Sequence, residues 1–162
     1  MINLAEEWRK LDGRRRTPDS QKHWDERAKS FSFKDTPDAY LQSFISKAGI
    51  TGEESVLDMG CGTGSLAVAL ASMGCSVVAA DFSTGMLDRL RSKAAERGVL
   101  WERGSSGLYS GGSSAGGVKT CPSEIEAGKI LPLRMSWEDD WANYGVEENS
   151  VDVAVASRSV IT

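Results

Sequence analysis

Between residues 58 and 64 the chain reads Asp58-Met59-Gly60-Cys61-Gly62-Thr63-Gly64, an acid followed by glycines at alternate positions. Glycine tolerates positive φ and lets a ligand approach the backbone closely. A loop of this kind between a strand and a helix leaves free N–H groups at the helix start, which is how nucleotides and related ligands are cradled. A tight turn that needs glycine only for packing is the plainer alternative. Asp81 favours the ligand, because it ends the next apolar run, 23 residues after Asp58. In a doubly wound sheet its carboxylate comes to lie beside the loop, where it can accept from both hydroxyls of a ribose. A dinucleotide site prefers Gly-x-Gly-x-x-Gly, whereas here Gly64 comes one position early and Ser65 holds the later place. The loop also lacks Gly-x-x-x-x-Gly-Lys-Ser/Thr, which excludes a phosphate-gripping P-loop.

The elements that must position these residues follow from hydrophobic spacing. Ser55–Met59, Ser76–Ala80, Ile130–Met135 and Val151–Ala156 are short, nearly continuous apolar runs. Helical patterns lie between them, from Leu66 to Met73 (closed by Gly74) and from Met86 to Arg97 (closed by Gly98). Strands alternating with helices predict an α/β fold, a Rossmann-like, doubly wound, mainly parallel sheet of about four strands. Pro132 weakens the third run as a strand. On the last, Val151, Val153 and Val155 should face one side and Ala154 and Ala156 the other. Helices are expected upstream, one through Leu4, Trp8 and Leu11, one from Ser20 through Phe31, and one begun by Thr36 and Pro37 and ended by Gly49. Residues 104–117 hold six glycines and five serines, a composition that reads as a flexible loop. The expected organisation is an N-terminal helical segment over 1–54 and a core over 55–162 with an insertion at 104–117.

With those elements in place, Val56-Leu57-Asp58-Met59-Gly60-Cys61-Gly62-Thr63-Gly64 resembles the glycine motif of class I S-adenosylmethionine-dependent methyltransferases. Asp81-Phe82-Ser83-Thr84-Gly85-Met86-Leu87 resembles their next motif, and Trp24-Asp25-Glu26-Arg27-Ala28 a segment that often precedes the domain. The resemblance covers roughly residues 20–100 and 130–162. It implies S-adenosylmethionine as cofactor and a role for each matching position. Asp58 would lie near the methionine moiety and its ammonium and brace the loop. Gly60, Cys61, Gly62 and Gly64 would form the loop against the cofactor, and Asp81 would bind the ribose. Phe82 and Met86 would flank the adenine, with ordinary core packing the alternative. Ser136, Trp137 and Glu138, just after the third strand, would meet the adenine edge, with a solvated acidic loop anchored by Trp137 as the alternative.

Methyl transfer from a sulfonium is an in-line displacement, so the protein chiefly positions and desolvates the acceptor. No catalytic triad is visible and none is required. His23, the single histidine, is a candidate base or a surface residue. The three cysteines, Cys61, Cys75 and Cys121, have no Cys-x-x-Cys pairing, which disfavours a zinc site or a disulfide framework. Ser157-Arg158-Ser159 stands where the family usually faces its acceptor. The Asp/Asn-Pro-Pro-aromatic run of members that methylate nucleic-acid bases is absent there, although Arg158 could hold an acidic group.

The chain has 162 residues, 40% hydrophobic and 26% charged, with a formal net charge of −4. These values exclude a disordered or collagenous chain. The first 35 residues carry nine Lys/Arg against seven Asp/Glu, and the remainder ten against sixteen. Arg14-Arg15-Arg16 is either a phosphate contact or a solvated charge run. The acidic balance argues against a nucleic-acid partner and for a small-molecule acceptor. No apolar run reaches the roughly 20 residues of a membrane span, and acids stand at Glu6 and Glu7 where a signal peptide would be basic, so no membrane partner and a cytoplasmic location are expected. A complete class I core has seven strands ordered 3-2-1-4-5-7-6, and the chain ends just past the fourth. That sets up the expectation of a truncated methyltransferase, a short protein completed by homo-oligomerisation at the exposed fourth-strand edge, or a non-catalytic cofactor-binding module. A nucleotide-dependent oxidoreductase is the alternative from another class.

Overall fold

The computed structural model describes residues 20–30, 38–101 and 125–157. The expected helix through Leu4 and Leu11, the arginine run, Thr36-Pro37, residues 104–117, Cys121 and Arg158-Ser159 lie outside the described residues. Helices α1 (Ser20–Ser30) and α2 (Asp38–Ala48) precede β1 (Ser55–Met59), α3 (Ser65–Met73), β2 (Ser76–Asp81) and α4 (Thr84–Glu96). A two-residue β3 (Leu100–Trp101), β4 (Lys129–Arg134), a 3-10 helix (Trp141–Tyr144) and β5 (Val153–Val155) follow. The sheet order is β3-β4-β2-β1-β5, and every pairing is parallel. The fold is thus the Rossmann-like α/β architecture read from the strand–helix alternation. Among the described residues no helix is long and apolar enough to cross a membrane.

The parallel sheet buries residues of both strand faces, which is why the middles of its strands are largely apolar. One core lies between the sheet and helices α2, α3 and α4 and includes Leu41, Ile45, Val56, Leu70, Val77, Leu87, Leu90 and Ile130. The other holds Leu57, Met59, Val78, Leu131, Leu133 and Val146, with Trp141, Tyr144 and Val151 packed against it. Alternate strand residues go to opposite cores, as the period-two geometry of a strand requires.

Three sequence expectations need correction. The described sheet has five strands rather than four, since Leu100–Trp101 pairs with Lys129 and Ile130. A two-residue strand has no periodicity to read. Pro132 does not exclude a strand: it pairs with Ala79 in the middle of β4. β3 stops opposite Ile130, so that flank of β4 has no strand partner beyond it among the described residues, and a missing N–H is tolerated there. Finally, Val151 does not share a face with Val153 and Val155. It packs on the second core, while the other two join the first. The cause is Asp152, whose Oδ2 accepts from the N–H of Ser55 at 2.8 Å and its hydroxyl at 2.7 Å, so regular alternation starts only at Val153.

Gly64 shows how tightly the helices pack. It stands at φ +76° as N-cap of α3, and a Cβ built there would lie 2.0 Å from Leu90 Cδ1 of α4. Both the left-handed backbone and the helix contact demand glycine. Gly64→Ala should cost about 2–4 kcal/mol of stability, read as a lowered urea midpoint at unchanged slope. An unchanged midpoint would show that the contact is not needed.

Candidate functional site

Parallel strands deliver their carboxyl ends to one edge of the sheet, and ligands bind where the strand order reverses. Here the chain runs outward from β1 to β2 and β4 and then returns to place β5 on the other side of β1. The glycine loop leaves β1 at that reversal. Gly60 N–H and Cys61 N–H both donate to Ala80 O, at 2.8 and 3.0 Å, which pins the loop to the end of β2. Gly62 has φ +55°, and a Cβ placed there would meet nothing within 4 Å, so the space beside it is open.

Asp81 reaches this loop as its position at the end of β2 predicts. One carboxylate oxygen accepts from Gly62 N–H and the other from Ser83 N–H, each at 2.9 Å. A carboxylate has about four acceptor positions, and the Gly62 and Ser83 bonds use two of them. Asp81 is 7% exposed. Burial raises its pKa against the lowering effect of the Ser83, Gly62 and Phe82 backbone N–H groups, and the Asp25 charge adds to the rise.

Asp58 is deeper, at 1% exposure, and its Oδ2 has no hydrogen-bond partner. Burial, then repulsion from Asp81, pushes its pKa from 3.8 to about 7, with a hydrogen bond from the Ala67 backbone pulling the other way. The Ala67 N–H belongs to the first turn of α3, so that turn lies on the Asp58 side of the loop. Cys61 feels the charge of both acids. Burial first, then Asp81 and Asp58, pushes its thiol well up, so it stays protonated.

The remaining predicted site residues are spread around this pair. Met86 is buried at 4%, with its N–H on Ser83 Oγ at 3.2 Å, and Phe82 is half-buried between Asp81 and Ser83. The stretch after β4 is brought to the same edge by Met135 N–H, which donates to Asp81 O at 3.1 Å. Beyond it Trp137 is 46% exposed and Glu138 is exposed. Asp139 takes the N–H of Ser136 and the hydroxyl of Tyr144, both at 2.8 Å, and so holds the turn that displays them. His23 is exposed on α1, edge-on to Trp24. Cys61 and Cys75 are free thiols, and among the described residues no group of three or more His, Cys, Asp or Glu could hold a metal.

The sequence reading missed Lys93 and Asp25. Lys93 is buried on α4 and donates to Ser65 Oγ at 2.7 Å, just after the loop. Asp25 accepts from the Ser83 hydroxyl and Gly85 N–H. Both act across more than 25 residues of sequence, a separation at which no local spacing rule operates.

The pair has a pH signature. Between pH 4 and 7 the folded chain holds a proton on Asp58 that the unfolded chain has lost, so this group's contribution to stability falls as pH rises. Its full penalty is present above pH 7. Asp58→Asn should therefore raise Tm at pH 8 by roughly 3–8 °C and give no gain at pH 4. Thermal melts across that range check this, and a gain independent of pH would contradict it.

Residues 56–106 match the family profile of a methyltransferase domain. An uncharacterized protein of Haemophilus influenzae is 42% identical over 125 residues, covering 77% of this chain and 35% of the relative. A candidate methyltransferase of Geobacillus is 34% identical over 86 residues, covering 53% of this chain and 35% of the relative. The chain thus spans about a third (35%) of the length of the curated relatives it matches. A solved structure, a candidate S-adenosyl-L-methionine-dependent methyltransferase from Methanococcus maripaludis, superimposes with a TM-score of 0.54 at 20% identity, covering 89% of this chain and 52% of that one, a likeness of fold. The glycine loop therefore lies in a stretch similar to a methyltransferase domain, and the fold around it is like that of a class I S-adenosylmethionine-dependent methyltransferase.

Proposed function

We propose that this chain binds S-adenosylmethionine at the loop between β1 and α3 and forms the cofactor-binding part of a methyltransferase acting on a small-molecule acceptor. The observation that carries the reading is the Asp58–Asp81 pair: two buried carboxylates at one loop, one with an oxygen lacking any partner and one with two acceptor positions left. Such a pair fits a ligand that brings both a positive charge and a pair of hydroxyl groups.

When bound, the cofactor supplies a methyl group on a sulfonium, already activated for displacement. The residues of the chain hold and orient it. Asp81 accepts from the ribose hydroxyls while the Gly62 and Ser83 amides fix its direction. Asp58 attracts the ammonium of the methionine part, and an approaching cation favours its ionised form. Gly60, Cys61, Gly62 and Gly64 keep the loop low enough for close approach, with open space at Gly62. Phe82 and Met86 flank the adenine, and Ser136, Trp137 and Glu138 meet its edge. The acidic balance of the chain supports a small-molecule acceptor over a nucleic acid.

Titration calorimetry of the full chain with S-adenosylmethionine, S-adenosylhomocysteine and NAD tests the reading. The first two should bind with Kd between about 1 µM and 1 mM, and Asp81→Ala should weaken them about 10- to 100-fold. Absence of binding by either, or preference for NAD, sinks the proposal and returns the oxidoreductase alternative.

A further inference from the structure

Helix α1 is tied to the candidate site through one side chain. Asp25 Oδ1 accepts from the Ser83 hydroxyl at 2.5 Å and from Gly85 N–H at 3.1 Å. Ser83 is fully buried, and its own N–H holds Asp81, whose other oxygen holds Gly62. Asp25, Ser83, Asp81 and Gly62 therefore form one unbroken chain of hydrogen bonds from α1 to the glycine loop.

Two further observations separate this link from simple helix capping. Ser83 Oγ already accepts from Met86 N–H, so the N-cap of α4 is complete without Asp25. The approach of α1 is also built in: a Cβ at Gly85 would stand 3.1 Å from Ala28 Cβ and 3.3 Å from Asp25, and Ala28 is 2% exposed. The helix lies close enough to the first turn of α4 that a Cβ at Gly85 would force its neighbours to give by a few tenths of an ångström. It does so while bringing a second negative charge towards Asp81, an arrangement that favours orientation over electrostatic comfort.

We propose that Asp25 is a positioning residue for the cofactor site: by holding Ser83 and Gly85 it fixes the turn after β2 and so the direction in which Asp81 meets a ribose, a role that rests on the reading of Asp81 given above. Docking of α1 and occupation of the Asp81 site then reinforce each other, since each orders the same turn.

The test compares wild type, Asp25→Ala and Asp25→Asn in the full chain. Hydrogen exchange without any ligand comes first. Asp25→Ala should speed exchange of the Gly62 amide, two links away, at least about tenfold, and Asp25→Asn, whose amide oxygen can still accept both bonds, should restore most of the protection. A change confined to residues 83–86 overturns the positioning role and leaves Asp25 as a helix contact only. Binding follows, with S-adenosylhomocysteine and its 2′,3′-dideoxy analogue. Wild type and Asp25→Asn should prefer the hydroxylated ligand at least about tenfold, and in Asp25→Ala that preference should shrink to below about threefold. An undiminished preference in Asp25→Ala overturns the proposal. No preference in the wild type overturns the ribose reading of Asp81 instead, and the exchange result still decides the Asp25 link. Should Asp25→Ala not fold, Asp25→Glu, which moves the carboxylate out of register with Ser83 and Gly85 while leaving the Ser83 cap of α4 in place, is read in the same way.

Discussion

Asp58 and Asp81 sit at the carboxyl ends of adjacent parallel strands, 1% and 7% exposed, where burial opposes the charge on each and the Asp81 charge adds to the burden on Asp58. A buried carboxylate persists in a folded protein when hydrogen bonds or a counter-charge offset its desolvation. Asp81 is held by the Gly62 and Ser83 N–H groups, whereas Asp58 keeps an orphaned oxygen. The rest of the structure is arranged around this imbalance. The loop bends at positive φ to offer Gly62 N–H to Asp81, Ser83 turns its N–H the same way, and α3 starts where Ala67 can reach Asp58. Stability is given up at this edge, where burial opposes both charges.

The scaffold explains why the constellation holds its shape without a ligand. The sheet fixes β1 and β2 side by side over five paired positions. Helices α3 and α4 are locked by the contact of Gly64 with Leu90, so neither end of the loop can drift independently. Asp139 performs the same service on the far side, tying Ser136 to Tyr144 and the 3-10 helix. Each clamp is a carboxylate or a glycine at an element boundary, where backbone donors are otherwise unpaired.

Much of this was legible in the sequence because it depends on local pattern. Leu57, Val78 and Leu131 alternate with residues of the opposite core, and apolar runs ending at Gly60 and Asp81 marked the strands and the loop between them. What escaped depends on contacts distant in sequence or on elements too short to have a period. Leu100–Trp101 joins the sheet only because β4 is there to pair with. Val151 changes sides because Asp152 bonds to Ser55, 97 residues away. Gly64 could be read as ligand-facing or packing-driven from its spacing; the fold shows the packing requirement through Leu90. Asp25 lay within a segment noted for its resemblance, but its contact with Ser83 spans 58 residues.

The central claim is that Asp58 and Asp81 form a site made whole by a cationic ligand carrying a ribose. Carboxyl-carbon NMR of Asp58, titrated with and without S-adenosylhomocysteine, addresses it most directly. The free chain should show Asp58 titrating near pH 7 (about 7), and bound ligand should move that midpoint down by at least about one unit as the ammonium pairs with the carboxylate. A midpoint that stays in place when the ligand binds, or an Asp58 that titrates as an ordinary exposed acid in the free chain, would contradict the account.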